Sequence, residues 1–342
     1  GALEAARRLD CAVEIALAVD LDPDALGVYR YNFGVDSTNA RLADVAVLFH
    51  GRLGAPPSLR ETRLKDSLGP IDLLLAGPPC QGYSNLNNST RRADPRNSLY
   101  AKAIRAAEIL EPRVVFVENV PSVTLDPTGV VRRSASVLKK LGYGVITSLV
   151  DAADLGIPQQ RRRHVLLAVL GGNLREDLYG NSGLATRGCL DFIRNLPPAR
   201  DRECGFMDEQ PRFSASTKKR LEYLFHHDIF DLPDNLRPPC QQGRHRYQSM
   251  YGRLRPDFPA QTITSGFACM GQGRFVHPRE HRTLTPREAA RLQGLPDFHL
   301  FVGVRSRDAL QNMVGNAVVP RVVAVALVRI WEAQLRSQSL QR

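Results

Sequence analysis

The chain has no Cys-x-x-Cys pair: its six cysteines, at 11, 80, 189, 204, 240 and 269, are scattered singly along 342 residues. That spacing argues against a zinc site or a disulfide framework and suits a reducing compartment. It also leaves Cys80 with no resolving thiol nearby, against a thiol-redox role. Long apolar runs are missing too. The longest near the carboxyl end, Val322 to Ile330, contains Arg329 and is too short to span a bilayer. No secretory leader is recognisable, so a cytoplasmic protein is expected. Internal repeats and low-complexity tracts are absent, which excludes solenoids and compositionally biased tails. Acidic side chains are the scarcer charge: 35 Asp and Glu stand against 46 Lys and Arg, a formal net charge of +11. The imbalance gathers in residues 251–342, with 13 basic and 6 acidic side chains. A polyanionic partner and a solvated basic face both account for it.

What is present reads as α/β. A hydrophobic content of 43% and a charged content of 24% describe an ordinary globular chain. Ile71 to Ala76 is a short apolar run that reads as a buried parallel strand. It breaks at Gly77-Pro78-Pro79 and delivers Cys80 to the carboxyl edge of the sheet, where open α/β sheets bind ligands. A second run, Val114 to Val117, leads into Glu118-Asn119-Val120, which puts a carboxylate at the same edge. A third, His164 to Leu170, is entered through Pro158-Gln159-Gln160-Arg161-Arg162-Arg163. A thiol, a carboxylate and arginines are thus expected to converge from three strand ends.

Around these runs, helices are expected at 2–9, 24–33, 99–110 and 134–141, and strands at 13–19 and 144–150. Asp20 ends the first of those strands, where a carboxylate can accept from ribose hydroxyls; Asp44 and Val45 follow the next element. Read alone, both aspartates are first of all carboxylates in surface turns. Residues 82–97 form a polar loop rich in asparagine and arginine, long enough to be functional. The alternation fades after Gly171, and Asn195-Leu196-Pro197-Pro198 makes a natural boundary. The expected division is a catalytic and cofactor-binding domain at 1–198, a smaller domain at 199–300, and helices at 301–342 returning to the first. Helices are expected at 214–225, after Asp308 and at 318–334. Another starts at Thr285, with Thr as N-cap, Pro286 at the first position and Glu288 at the third.

The blocks Gly-Pro-Pro-Cys-Gln-Gly-Tyr-Ser at 77–84, Glu-Asn-Val at 118–120 and Gln-x-Arg-x-Arg at 159–163 resemble three signatures of the cytosine-C5 DNA methyltransferases. The likeness continues in the family's order. It takes in Asp20-Leu21-Asp22, Tyr29, Asn32-Phe33 and Asp44-Val45, then Arg253-Leu254, Thr262-Ile263-Thr264 and Gly315 to Pro320. It implies a Rossmann-like, S-adenosylmethionine-dependent methyltransferase sheet with a smaller target-recognition domain, variable over about 199–250. It implies Cys80 as nucleophile on C6 of cytosine and Glu118 as the carboxyl that neutralises charge at N3. Arg163 corresponds to the residue on the base's O2, with Arg161 in support. Asp20, Leu21, Asp44, Val45, Pro79, Leu99 and Asn316 correspond to cofactor contacts. Gln81, Ser84, Arg91, Arg92 and Arg96 are placed to touch DNA.

The implied partner is double-stranded DNA with its target nucleotide flipped out of the stack. The implied protein is a monomer without metal or membrane association, cytoplasmic and nucleoid-associated in a bacterium, in restriction–modification or as an orphan methylase. One departure stands out. The family's Phe-x-Gly-x-Gly-Gly loop and the strand before it do not occur in these residues. A chain truncated at its amino end, binding S-adenosylmethionine poorly, is the resulting expectation. Two alternatives stay open: a chain that binds DNA without turnover, and the tRNA-methylating branch, whose Cys-Phe-Thr segment is not found here.

Overall fold

The computed structural model describes residues 1–79, 82, 94, 97–175, 177–180, 184, 187–200, 206–243 and 249–339, with 334–339 as backbone alone. Packing divides the chain into two compact units. One comprises Gly1–Asp151, Arg162–Gly180 and Val322–Arg342; the other comprises Ala152–Arg161 and Asn181–Arg321. The divisions by packing therefore fall at 180 and 321, not at 198 and 300, and ten residues around Gln159 group with the second unit.

The first unit opens with α1 (Ala2–Arg8) and β1 (Ala18–Asp20). β1 is shorter than the 13–19 expected, because only its last three residues find a ladder partner, in β2. Between them runs α2 (Pro23–Phe33), started by the Asp22 carboxylate, which accepts from the Asp24 and Ala25 amides, and stopped by Gly34 at φ 63°. β2 (Ala40–Leu42) lies parallel to β1. α3 (Val45–Leu48) is N-capped by Asp44, and α4 (Leu59–Leu68) by a capping box of Ser58 and Glu61. β3 (Leu73–Ala76), α5 (Ser98–Leu110), β4 (Val114–Asn119), α6 (Val130–Lys140) and β5 (Tyr143–Asp151) follow. After ten residues that include the short strand β6 (Gln159–Gln160), the chain returns as β7 (Arg162–Leu170).

The main sheet has the order β3-β4-β7-β5. β3 and β4 are parallel, whereas β7 is antiparallel to both its neighbours. That orientation sets the beginning of β7 beside the end of β4. One face of the sheet packs on α5 and α6 through Tyr100, Ile104, Val115, Val117, Leu138 and Leu166, all fully or almost fully buried. Burying an apolar side chain of this size contributes about 1.5–3 kcal/mol, which holds β4 and β7 as a rigid base for their ends.

In the second unit, α7 (Cys189–Ile193), α8 (Ala215–His226), β8 (Ala260–Gln261), α9 (Pro286–Leu292) and α10 (Arg307–Asn316) surround two apolar clusters. β8 pairs in parallel with β6. α9 starts as its sequence predicts, Thr285 and Glu288 forming a capping box around Pro286. α11 (Pro320–Ser339) then returns to the first unit. Residues 307–333 are long and apolar enough to cross a membrane by composition, a length the reading of Val322 to Ile330 alone did not reveal. The α-helix is broken between Asn316 and Pro320, however, and half of that apolar window is buried. Val322, Ala324, Ala326, Leu327 and Ile330 are core residues, and Arg329 donates to the Leu178 carbonyl. Its apolarity is that of a packed helix.

Candidate active site at the strand ends

Glu118 and Arg163 meet at one edge of the first unit. In the antiparallel ladder Glu118 faces Val165. Arg163 lies two residues back on the same strand, so the period of two puts its side chain on the same face of the sheet as Glu118. Arg163 Nε donates to Glu118 Oε1 at 2.8 Å, with both side chains about nine-tenths buried. Arg163 Nη1 also donates to the Arg162 carbonyl at 2.8 Å. A desolvated carboxylate is costly unless paired, and the guanidinium supplies both charge and a directed donor.

Asn119, pointing to the opposite face, organises the backbone that leads to the thiol. Its Nδ2 donates to the Pro78 carbonyl at 3.2 Å, and its Oδ1 accepts from the Val120 amide at 2.8 Å. The register Ala76↔Val117 sets Pro78 level with Asn119, one step past Glu118. Cys80 is two residues further and lies outside the described residues, as do Gln81, Ser84, Arg91, Arg92 and Arg96. Gly82 is described and buried. A Cβ there would stand 2.0 Å from Asn97 Oδ1 and 2.5 Å from Asp94 Cβ, so no larger residue fits.

Two residues beside the pair were not singled out from sequence. His164 directly opposes Asn119, is 2% exposed, and has no hydrogen-bond partner for either ring nitrogen among the described residues. Burial pushes its pKa down to about 4. Tyr179 donates to the Val322 carbonyl at 3.3 Å. Burial, reinforced by the Glu118 carboxylate, raises its phenol well above the ordinary range and keeps it protonated. In sequence, neither carries a spacing signal that separates it from ordinary core polarity.

The cofactor candidates fall into two groups. Asp20 and Asp44 stand at the carboxyl ends of adjacent parallel strands, linked by the Ala43 amide donating to the Asp20 carbonyl at 3.0 Å. Asp20 Oδ1 accepts from the Asp22 amide at 2.8 Å and Asp44 Oδ1 from the Ala46 amide at 2.7 Å. Leu21 is 62% exposed beside them, Val45 and Leu99 are half-buried, and Pro79 is exposed. Asn316, exposed, belongs to the second unit at the end of α10. Arg161 also belongs there, and its contacts differ from those of Arg163. Its Nη1 donates to the Ile263 carbonyl at 2.8 Å, and its Nη2 to those of Gly315 and Ala317 at 3.0 and 3.1 Å. These three bonds hold backbone within the second unit.

Among the described residues, His277, Glu280 and Glu288 bring potential metal-ligating atoms within 4.8 Å of one another. Arg282 already lies among them. It donates to Glu288 Oε2 and Oε1 at 2.8 Å each and to Glu280 Oε2 at 2.9 Å. His277 Nδ1 accepts from the Arg279 and Glu280 amides at 3.1 and 3.0 Å. The guanidinium supplies the positive charge that an ion would bring.

A mixed sheet with a carboxylate–arginine pair at its strand ends, and a separate parallel strand pair followed by Asp20 and Asp44, is consistent with a methyltransferase-like α/β protein. The solved structure of S. pombe Dnmt2 methyltransferase shares this fold, with a TM-score of 0.65 at 19% identity over 97% of this chain and 95% of that one. The family model of the C-5 cytosine-specific DNA methylases matches residues 2–331, and the chain belongs to that family. Type II methyltransferase M1.BsuMI of Bacillus subtilis is 40% identical over 93% of this chain and 74% of its own length. Type II methyltransferase M1.HphI of Haemophilus parahaemolyticus is 28% identical over 92% and 80%.

Proposed function

We propose that this chain is a bacterial DNA cytosine-5 methyltransferase of the restriction–modification or orphan kind, acting through Cys80. The observation that carries the reading is the buried Glu118–Arg163 pair, level with the Pro78-Pro79 exit that leads to the cysteine. C5 of cytosine is a poor nucleophile until C6 has gained an electron pair. Addition of the Cys80 thiolate to C6 moves charge toward N3 and O2. Glu118 shares a proton with N3, and Arg163 orients Glu118 and faces O2, so both bind more strongly as the charge develops. Once C5 carries the methyl group, loss of its proton to a base lets the C6–sulfur bond break and Cys80 leave as thiolate. Double-stranded DNA is the substrate, and residues 199–250 carry target recognition.

The described residues fit S-adenosylmethionine. Asp20 and Asp44 each use one carboxylate oxygen locally, which leaves the other for a ribose hydroxyl and an adenine amino group, and exposed Leu21 offers apolar surface beside them. When bound, that cofactor supplies the electrophilic methyl group. Pro79, Val45 and Leu99 of the same unit are the further proposed contacts.

The test is DNA carrying 5-fluorocytosine at the target. The enzyme should form a covalent protein–DNA adduct, and Cys80→Ala should form none. An adduct that survives in Cys80→Ala would move the nucleophile elsewhere.

A further inference from the structure

The outer face of α6 carries charge that the first unit does not use. Val130, Ser134 and Leu138 are buried, and Val130 and Leu138 belong to the core shared with α5 and the sheet. A helix turns about 100° per residue, which puts Arg132, Arg133, Ser136, Lys139 and Lys140 on the opposite side, all exposed. No acidic side chain occurs between Val130 and Lys140. Asp126, just before the helix, is taken by the Thr128 and Val130 amides. Among the described residues none of the four cations forms an ion pair, and Arg133 donates only to Thr128 Oγ1, at 2.8 Å. Other helices of the unit balance such charges, Arg8 with Glu4 and Lys65 with Glu111.

The stability of the helix does not account for these residues. Lys139 and Lys140 stand in the last turn, where the helix dipole favours cations. Arg132 and Arg133 stand in the first turn, where it disfavours them. Ala135 and Ser136 form a small floor between Arg132 and the two lysines, and these five residues line an open cleft of about 510 Å³. β4 and β5 both run antiparallel to β7, so they point the same way and α6 between them runs back. The arginines therefore lie toward the end of the sheet that carries Glu118, and the lysines toward the other end. Seven helical residues rise about 10.5 Å, so the charge forms a band and not a point. A band of that length suits a chain of phosphates. An anionic membrane would need an apolar face to insert, and that of α6 is already buried.

We propose that the outer face of α6 is a docking surface for the phosphate backbone of duplex DNA, separate from the contact with the target nucleotide. This rests on the reading of the chain as a DNA methyltransferase. Phosphate contacts carry no sequence information, so the surface serves any duplex.

The experiment is titration of the enzyme into a fluorescent duplex of A·T pairs alone, which holds no cytosine, read by anisotropy over a series of salt concentrations. Arg132→Gln with Lys139→Gln should weaken binding at low salt at least tenfold and lower the slope of log affinity against log salt by about 2. Arg60→Gln with Arg63→Gln removes the same charge from the exposed side of α4, which has acidic residues interspersed, and should leave the slope unchanged. With saturating 5-fluorocytosine target DNA, both double variants should form the adduct at the wild-type rate. An unchanged slope in the α6 pair, or an equal change in the α4 pair, overturns the docking surface and leaves the methyltransferase reading intact. Slowed adduct formation in the α6 pair also overturns it, by placing these cations in the chemistry. Lost binding to phosphatidylglycerol vesicles, with the DNA slope unchanged, would assign the face to a membrane instead. A wild-type enzyme that binds no A·T duplex overturns the surface, and one that also forms no adduct removes the reading beneath it.

Discussion

His164 shows how one buried side chain in the sheet, unpartnered among the described residues, couples stability to pH. It is neutral in the fold with a pKa of about 4, against 6.5 when exposed. The unfolded chain therefore takes up a proton at a pH where the folded one does not. Stability from this residue is complete above about 6.5 and is lost as the pH falls toward 4. Between pH 7.5 and 5 the loss should be about 2 kcal/mol. His164→Leu should narrow the gap between denaturant midpoints at the two pH values by that amount, and an unchanged gap would deny the linkage. Next to it, Glu118→Gln should lower kcat by about a hundredfold or more, with far less effect on DNA affinity. Single-turnover rates and binding isotherms measured together would separate the two. Glu118 and Arg163 were legible in the sequence because each borders a strand built of Val and Leu. Arg161 and Arg163 share a parity, so strand pattern alone did not separate them and only the family resemblance gave them different roles; the packing adds that one donates to backbone carbonyls while the other faces a carboxylate. The hydrogen bond between Gln159 and Gln293 spans too many residues for any local pattern to report.

Among the elements, the helices were the most readable, since their caps are local chemistry. Ser214 caps α8 through the Thr217 amide, as the start of its helical pattern suggests. β1 was less readable, because a strand exists only where a partner is in register, and the mostly apolar stretch at 12–17 gives no sign of where pairing begins. Glu61 illustrates how a cap can acquire a second task. It closes the capping box of α4 and also accepts from the Arg105 guanidinium at 3.0 and 2.8 Å. Arg105 is fully buried on α5 and fastens it to the segment before α4 through the Ala55 and Pro56 carbonyls, at 2.6 and 3.0 Å. The guanidinium holds the Glu61 pKa down to about 2. Arg105→Met should cost about 3–5 kcal/mol, because a carboxylate remains buried without its partner. Chemical denaturation at neutral pH checks this. Glu61 contributes its stability above its ordinary pKa of 4.5 and loses it as the pH falls toward 2. The Arg105→Met deficit should therefore shrink in acid.

For the molecule as a whole, composition pointed to a polyanionic partner and the motif order to a methyltransferase, but neither locates the seams between units. Affinity for DNA should fall steeply with salt, as arginine contacts release counterions. Exchanging residues 199–250 with those of a relative should change the methylated sequence and leave the chemistry intact. An unchanged methylation pattern would place recognition elsewhere. The path of the chain between its two units, which it crosses after Asp151, Arg161, Gly180 and Arg321, has a further consequence. No single cut yields two self-contained pieces. A protease nicking one exposed loop should leave fragments that stay associated until denatured. A gene shuffled at one breakpoint should inherit a broken pair of units, so inheritance of a new specificity by recombination favours double exchanges inside 181–321, with the Gln159–Arg161 segment kept to match.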